Sequence, residues 1–250
     1  HMDRFPMWLR EQRGLAFSSV QAVLATTREF FGWLSLRGKV LSDPSVYLRL
    51  RAGANDKPLL EPPLSELQVA SIFEGLPKAN VIQLRDAVLI DLLYSAGLRL
   101  SEAFILDLRH VDMDARVLYV TSAKGGQPRD IPIVRGLYSA LADYLALRRD
   151  LLRGPDHGAL LLATTGRRLS KPSVHRLMVK LSKRHGQRIH ANLFRHSIAV
   201  HLLRGGADIR YIQQFLGHEL LETTKIYLRL VPTDIEQAYR KAMPEFVVGP

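Results

Sequence analysis

The 250-residue, 28.2 kDa chain is long enough for one large domain, or for one ordinary domain beside a smaller helical piece. With 35 Lys and Arg against 24 Asp and Glu, a formal charge of +11 and a pI near 10.1, a polyanion is the expected partner, nucleic acid ahead of an anionic membrane surface. The absence of cysteine excludes disulfides, thiolate metal sites and a cysteine nucleophile, and no apolar run of about 18 residues reads as a transmembrane helix, nor the N-terminus as a signal peptide.

The opening His1-Met2 reads as a vector remnant, so the sequence is expected to start at a chosen boundary rather than a natural one. Val20, Val23, Leu24, Phe30, Phe31 and Leu34 recur at helical spacing before Gly38 and predict an amphipathic helix over 18–36. Ser42-Asp43-Pro44 has N-cap chemistry with proline in the first turn, which predicts a short helix over 45–50. Ala52-Gly53-Ala54-Asn55-Asp56-Lys57-Pro58, continued by Glu61-Pro62-Pro63, is dense in breakers. A linker is expected at 53–63, between a helical piece at 3–52 and the main domain at 64–250.

Helices are predicted over 65–73, over 82–94 with an end at Ala96-Gly97, and over 101–108 with Ser101 as N-cap. The period then changes: Val117, Tyr119 and Thr121 alternate, Lys124-Gly125-Gly126 is turn chemistry, and Ile131 and Ile133 alternate again. That pattern is a β-hairpin with a lysine at its tip. A helix over 137–152, a third strand over the apolar run 159–163, and helices from Ser170 almost to Ala242, broken at Gly186, Gly205-Gly206, Gly217 and Pro232, complete the chain. The fold class expected is mainly α with a small β-sheet, an α+β arrangement.

No acidic residue occurs between Asp156 and Asp208. Natural surfaces usually mix signs, so a phosphate-facing surface is preferred over a merely solvated basic face. Arg167, Arg168, Lys171, Arg176 and Lys180, on an expected turn and helix start, are the candidates for duplex contacts.

Three segments are unlike ordinary core sequence. In Ala96-Gly97-Leu98-Arg99-Leu100-Ser101-Glu102 an arginine sits between a glycine turn and a helix start, where backbone donors favour an anion. Asn192-Leu193-Phe194-Arg195-His196 places a second arginine in the acid-free interval. In Leu216-Gly217-His218-Glu219-Leu220-Leu221-Glu222-Thr223-Thr224-Lys225-Ile226-Tyr227 a histidine after a glycine turn precedes a tyrosine by nine positions. Each alone reads as surface charge or core; their joint occurrence points to function.

In this order the segments resemble the catalytic boxes of the tyrosine recombinase (phage integrase) family, the Xer-type bacterial resolvases in particular, along nearly the whole chain. Gly97 to Glu102 resembles the first box, and Lys124 followed by Arg129-Asp130-Ile131-Pro132 resembles the hairpin lysine and the strand after it. Arg195-His196 resembles the second box; Leu216-Gly217-His218, Thr223-Thr224 and Ile226-Tyr227 resemble the third box and the nucleophile. One position departs. Three residues before Arg195 the family usually has histidine, and here Asn192 can donate a hydrogen bond but cannot shuttle a proton at neutral pH. Either Asn192 is a tolerated replacement or His190 serves instead.

The resemblance implies a tyrosine-recombinase catalytic domain preceded by a partial helical core-binding (SAM-like) domain, of which residues 13–47 match only the later half, so the chain is expected to be truncated in front. It implies a DNA recombinase that needs no metal, ATP or other cofactor: Arg99, Arg195 and His218 neutralise the phosphate, Tyr227 attacks as cationic neighbours favour its phenolate, and Lys124 protonates the departing 5′ oxygen. Glu102 and His196 are expected to support these groups from behind. No HExxH pattern is present, and the spacing of His196 and His201 reads as packing rather than metal ligation. Double-stranded DNA is the implied partner. A homo-tetramer on DNA would form through a helix at 232–243, with a self-packed tail and a free monomer as the alternative. No membrane contact is expected, and the implied location is cytoplasmic, on the nucleoid. Two further readings stay open, a DNA-binding architectural remnant of the same fold with impaired catalysis and a relative of the type IB topoisomerases.

Overall fold

Two helices closed over a few apolar side chains make the first of two units, His1–Glu61 and Pro62–Pro250, in the computed structural model, which describes residues 2–50, 61–121 and 127–230. In the first unit, α1 (Phe5–Glu11) has Pro6 in its first turn, where a missing N–H leaves no helical bond unmade. Helix α2 (Phe17–Leu36) follows the expected period, and Leu9, Val20, Leu24 and Leu48 bury together between the two. The seven-residue α1 is too short for its periodicity to be read. The helix expected over 45–50 does not form. Asp43 Oδ1 accepts from both the N–H and the hydroxyl of Ser45 (2.8 and 2.6 Å), and a single turn closes from Leu48 N–H to the Ser45 carbonyl (3.0 Å). Burial of Leu48 and a bond from Gln21 Nε2 to the Leu50 carbonyl (3.0 Å) then hold the chain out of helix.

In the second unit, α3 (Glu66–Glu74) starts with a reciprocal capping box: Gln68 N–H donates to Ser65 Oγ (3.2 Å) and Ser65 N–H to Gln68 Oε1 (2.8 Å). Helix α4 (Val81–Tyr94) is apolar around most of its circumference, with Leu84, Val88, Leu89, Ile90, Leu92 and Leu93 buried. Such a helix must be enclosed, and α6 (Arg135–Leu147) and α8 (Ala191–Arg204) pack against it. The short α5 (Leu100–Ile105) leads to an antiparallel sheet of β1 (Val111–Asp112), β2 (Val117–Val120) and β3 (Arg129–Pro132), in that order. The register pairs Val117 with Pro132 and Leu118 with Ile131, and Leu118, Val120 and Ile131 face the core. Helix α7 (Lys171–His185), α9 (Ile209–Leu216) and α10 (Leu221–Lys225) follow, and a 3-10 turn, Ile226–Leu230, carries Tyr227. The fold is thus mainly α with a small antiparallel sheet, and among the described residues no helix is long and apolar enough to cross a membrane.

Three local expectations are corrected. The run 159–163 is not a strand of the sheet but makes only single bridges, Asp107 with Ala159 and Leu162 with Arg168. Side chains occupy its carbonyls: Tyr144 Oη donates to Leu160 (3.1 Å), Arg148 Nε to Ala159 (3.1 Å) and Arg85 Nη1 to Leu162 (3.0 Å). Helix α5 begins at Leu100 with Arg99, not Ser101, as N-cap, because the Glu102 carboxylate reaches back to the Arg99 N–H. The helix predicted over 137–152 is α6 only to Leu147, after which Arg148–Leu151 tightens to 3-10. The hairpin turn with Lys124 and the helix expected over 232–243 lie outside the described residues.

Candidate active site

The site is assembled around two left-handed glycines. Gly97 (φ +57°) turns the chain after α4, with Leu98 N–H returning to the Leu92 carbonyl (3.1 Å), and so delivers Arg99 to the start of α5. Gly217 (φ +64°) ends α9 in the same way and delivers His218. The last carbonyls of α9 have no helical donors, and arginines from three other elements fill them. Arg129 Nε donates to Phe215 O (2.7 Å), Arg195 Nη2 to Leu216 O (2.6 Å), and both Nη atoms of Arg99 approach Gly217 O (3.4 Å). Arg195 Nη1 also donates to the Gly97 carbonyl, so both glycine turns aim it.

Behind these guanidiniums lies Glu102, 1 % exposed. It accepts Arg129 through a paired contact (3.1 and 3.0 Å), takes Arg99 at both its N–H (2.8 Å) and Nη1 (2.9 Å), and has Arg195 Nη1 3.8 Å away. Burial alone would raise its pKa. The hydrogen bonds and charge of Arg129, the Arg99 N–H and the Arg195 charge outweigh burial and hold it below the usual carboxylate range. Burial, then the Arg99 charge, lowers Arg195 to about 9, which leaves it a cation at neutral pH.

His218 Nδ1 meets Thr224 Oγ1 at 2.9 Å. Burial, then Arg195, Arg99 and Arg129, push the imidazole down to about 3, so it is neutral. The Tyr227 ring stacks on His218 (centroids 6.4 Å apart, 15° between planes), and its hydroxyl meets His196 Nδ1 at 2.9 Å. Tyr227 is 1 % exposed, and burial raises its pKa against the opposing charges of Arg195 and Arg99. The expectation that cations favour its phenolate is therefore overridden here by desolvation.

One open cleft of about 420 Å³ is lined by Arg99, Ser101, Asn192, Arg195, His196, His218, Thr223 and Tyr227. The sequence-predicted residues Arg99, Arg195, His218, Tyr227 and Asn192 thus come together, with Glu102 behind them. His196, expected as a supporting residue, faces the tyrosine hydroxyl. His190 is the N-cap of α8 and does not line the cleft. Lys124 lies outside the described residues. Arg167, Lys171, Arg176 and Lys180 are exposed. Arg168 is instead engaged internally, with Asp107 (2.6 Å) and the carbonyls of Phe104 and Leu106 (2.9 and 2.8 Å). Among the described residues no group of three or more His, Asp or Glu is placed to hold a metal ion. Arg129 and Thr224 were not singled out as working residues. The signal for Arg129 was its phase: it shares the inward face of β3 with Ile131, where a charge needs a buried partner.

The profile of the Phage integrase family matches residues 63–233. The chain is 32% identical over 236 residues to the tyrosine recombinase XerC of Alcanivorax borkumensis, covering 93% of this chain and 76% of that protein. It is 34% identical over 237 residues to XerC of Serratia marcescens, covering 94% and 76%. Its fold is shared with the XerH site-specific recombinase bound to a palindromic difH substrate (TM-score 0.76, 18% identity, 95% of this chain and 71% of that one). It is shared also with the Tn1549 transposon integrase in complex with a circular intermediate DNA (TM-score 0.74, 18% identity, 97% and 84%). The matched span contains every residue of the cleft, and the chain belongs to the phage integrase family of tyrosine recombinases, on its Xer-like side.

Proposed function

We propose that the chain is a site-specific DNA recombinase that cleaves and rejoins duplex DNA through a 3′-phosphotyrosine on Tyr227. The observation that carries this reading is the single cleft holding two arginines, a neutral histidine and a buried tyrosine, with one carboxylate behind them. Relatives of the same fold bound to DNA support a duplex substrate.

In this reading Arg99 and Arg195, already oriented by Glu102 and the carbonyls of both glycine turns, use their remaining N–H donors on the non-bridging phosphate oxygens. A neutral imidazole has one N–H. If the Thr224 hydroxyl donates to Nδ1, His218 carries its proton on Nε2 and can donate it to the phosphate. Asn192 adds a carboxamide donor at the rim. Tyr227 Oη forms a bond to phosphorus as the bond to the 5′ oxygen breaks, and that oxygen takes a proton from Lys124. A 5′ hydroxyl of another strand reverses the step, because the phosphotyrosine keeps the energy of the diester, without ATP or metal. Arg167, Lys171, Arg176 and Lys180 contact the duplex backbone, and residues 232–243 join protomers into a tetramer on DNA.

The test is a nicked suicide duplex carrying a site selected by this chain from random sequence. The expected result is a protein–DNA adduct that survives denaturation, is unaffected by chelator and is absent in Tyr227→Phe. Duplex binding without any adduct would favour an architectural remnant, and relaxation of supercoils without site preference a topoisomerase.

A further inference from the structure

A phenol must lose its proton as it becomes a nucleophile, and the groups lining the cleft differ sharply in their capacity to take one. Arg99 and Arg195 are cations. Asn192 stands where the family usually has histidine, and a carboxamide has no basic site at neutral pH. His218 has Nδ1 engaged by Thr224 (2.9 Å), and its ring lies nearly parallel to that of Tyr227. The Tyr227 hydroxyl bonds to His196 Nδ1 and not to His218.

His196 is placed otherwise. Its Nδ1 lies 2.9 Å from Tyr227 Oη, with the two rings inclined by 58°. Its position on α8 explains how one helix serves two purposes. Successive residues are turned by about 100°, so Arg195 is buried against the carbonyls of Gly97 and Leu216 while His196 faces the 3-10 turn of Tyr227. Asn192 and His196 are four apart, hence on one face of α8, and both line the cleft. A proton acceptor missing at 192 is therefore present one turn further along the same face.

We propose that His196 is the general base for Tyr227. As the Oη–phosphorus bond forms and the bond to the 5′ oxygen breaks, the phenolic proton passes to His196 Nδ1, and it returns to Oη when a 5′ hydroxyl reverses the step. The departing 5′ oxygen receives its own proton from the separate acid, Lys124, so each oxygen has its own donor or acceptor. The hydrogen bond already has the required sense when Nδ1 accepts from the hydroxyl and the imidazole proton sits on Nε2. This inference rests on the recombinase reading above.

The charged and titratable groups lining the cleft with His196 are Arg99, Arg195, His218 and Tyr227. Single-turnover cleavage of the selected nicked duplex, followed between about pH 5 and 9, should rise and then level off as the His196 imidazole loses its proton. His196→Asn keeps an acceptor near the position of Nδ1 but cannot hold the proton. It should slow cleavage about 100-fold and abolish the plateau, leave duplex binding unchanged, and be largely rescued by a difluorinated tyrosine at 227, whose phenol is more acidic. Cleavage within about threefold of the unaltered chain, with the same pH profile, would overturn the role of His196 while leaving the recombinase reading intact. No adduct from the unaltered chain would instead defeat that reading. Should His196→Asn fail to fold, the difluorinated tyrosine in the otherwise unaltered chain decides the matter. A plateau that stays in place supports His196, and one that moves with the phenol's acidity overturns it.

Discussion

Arg195 reaches the carbonyl of Leu216 at 2.6 Å, and the carbonyls on either side of it, those of Phe215 and Gly217, receive Arg129 and Arg99. Besides the backbone N–H groups of Gly217 and His218, which donate to Gln214 and Gln213, cations cap the C-terminal end of α9, the sign its helix dipole favours. Three guanidiniums this close would repel one another without a counter-charge, and Glu102 supplies it. The donors of the cleft are thus set in position by the fold, a preorganisation that electrostatic catalysis of phosphoryl transfer requires.

Glu102→Gln should accordingly do more harm to stability than its small change in size suggests. Arg129 is 5% exposed and would be left without its anion, and breaking a buried pair in this way costs about 3–5 kcal/mol. A lowered urea midpoint with an unchanged slope is the expected result. The same group predicts an acid limb. Because its folded-state pKa is depressed, its contribution is whole above the ordinary carboxylate range and is lost as pH falls through the folded-state value. The variant should lose less stability on acidification than the unaltered chain does.

Gly97→Ala tests the turn that delivers Arg99. The backbone there has φ +57°, and an added Cβ would lie 2.8 Å from Phe215 Cε1. The left-handed conformation alone costs about 1–2 kcal/mol for a residue with a Cβ, and the aromatic ring must also move. A fall in Tm together with slower adduct formation is expected; the change in Tm without loss of cleavage would show that the position of Arg99 tolerates the shift.

The neutral state of His218 has its own signature. Its folded pKa is depressed to about 3 from the ordinary 6.5, so stability is full above the unfolded value and declines as pH falls below it, where only the unfolded chain takes up the proton. His218→Asn, which keeps a hydrogen-bonding partner for Thr224 Oγ1, should take up about one proton fewer on unfolding near pH 5 than the unaltered chain. Equal proton uptake would mean that His218 is already charged in the fold.

Much of this was legible in the chain itself. The helical periods at 18–36 and 82–94 survived into α2 and α4, and the hairpin alternation into β2 and β3. The arginines, histidine and tyrosine of the cleft were legible because each sits in a short stereotyped segment. What was not legible depends on distant partners. The carbonyls of 159–163 are satisfied by Arg85, Tyr144 and Arg148, so an apolar run with strand composition has no need of a ladder. Glu102 meets Arg129 across 27 positions and His196 meets Tyr227 across 31, contacts that no local pattern encodes. The Asp43 side chain does accept from Ser45, but the helix expected over 45–50 does not follow, which the burial of Leu48 decides.

The basic residues around the start of α7 can be sorted by salt dependence. Arg168 shares its guanidinium among Asp107 and two carbonyls, whereas Lys171, Arg176 and Lys180 are exposed on the helix. A phosphate contact releases counterions, so Lys171→Gln or Arg176→Gln should weaken duplex binding and reduce the slope of log affinity against log salt by about 0.9 each. Neither should move the urea midpoint. Arg168→Ala should do the reverse, lowering stability by about 1–2 kcal/mol, the scale of its lost hydrogen bonds discounted for partial exposure, with the salt slope unchanged. Titrations of a fluorescent duplex at several salt concentrations, paired with urea melts of the same variants, separate the two effects. A slope that falls in Arg168→Ala as much as in the other two would mean that Arg168 leaves Asp107 for the phosphate when DNA is bound.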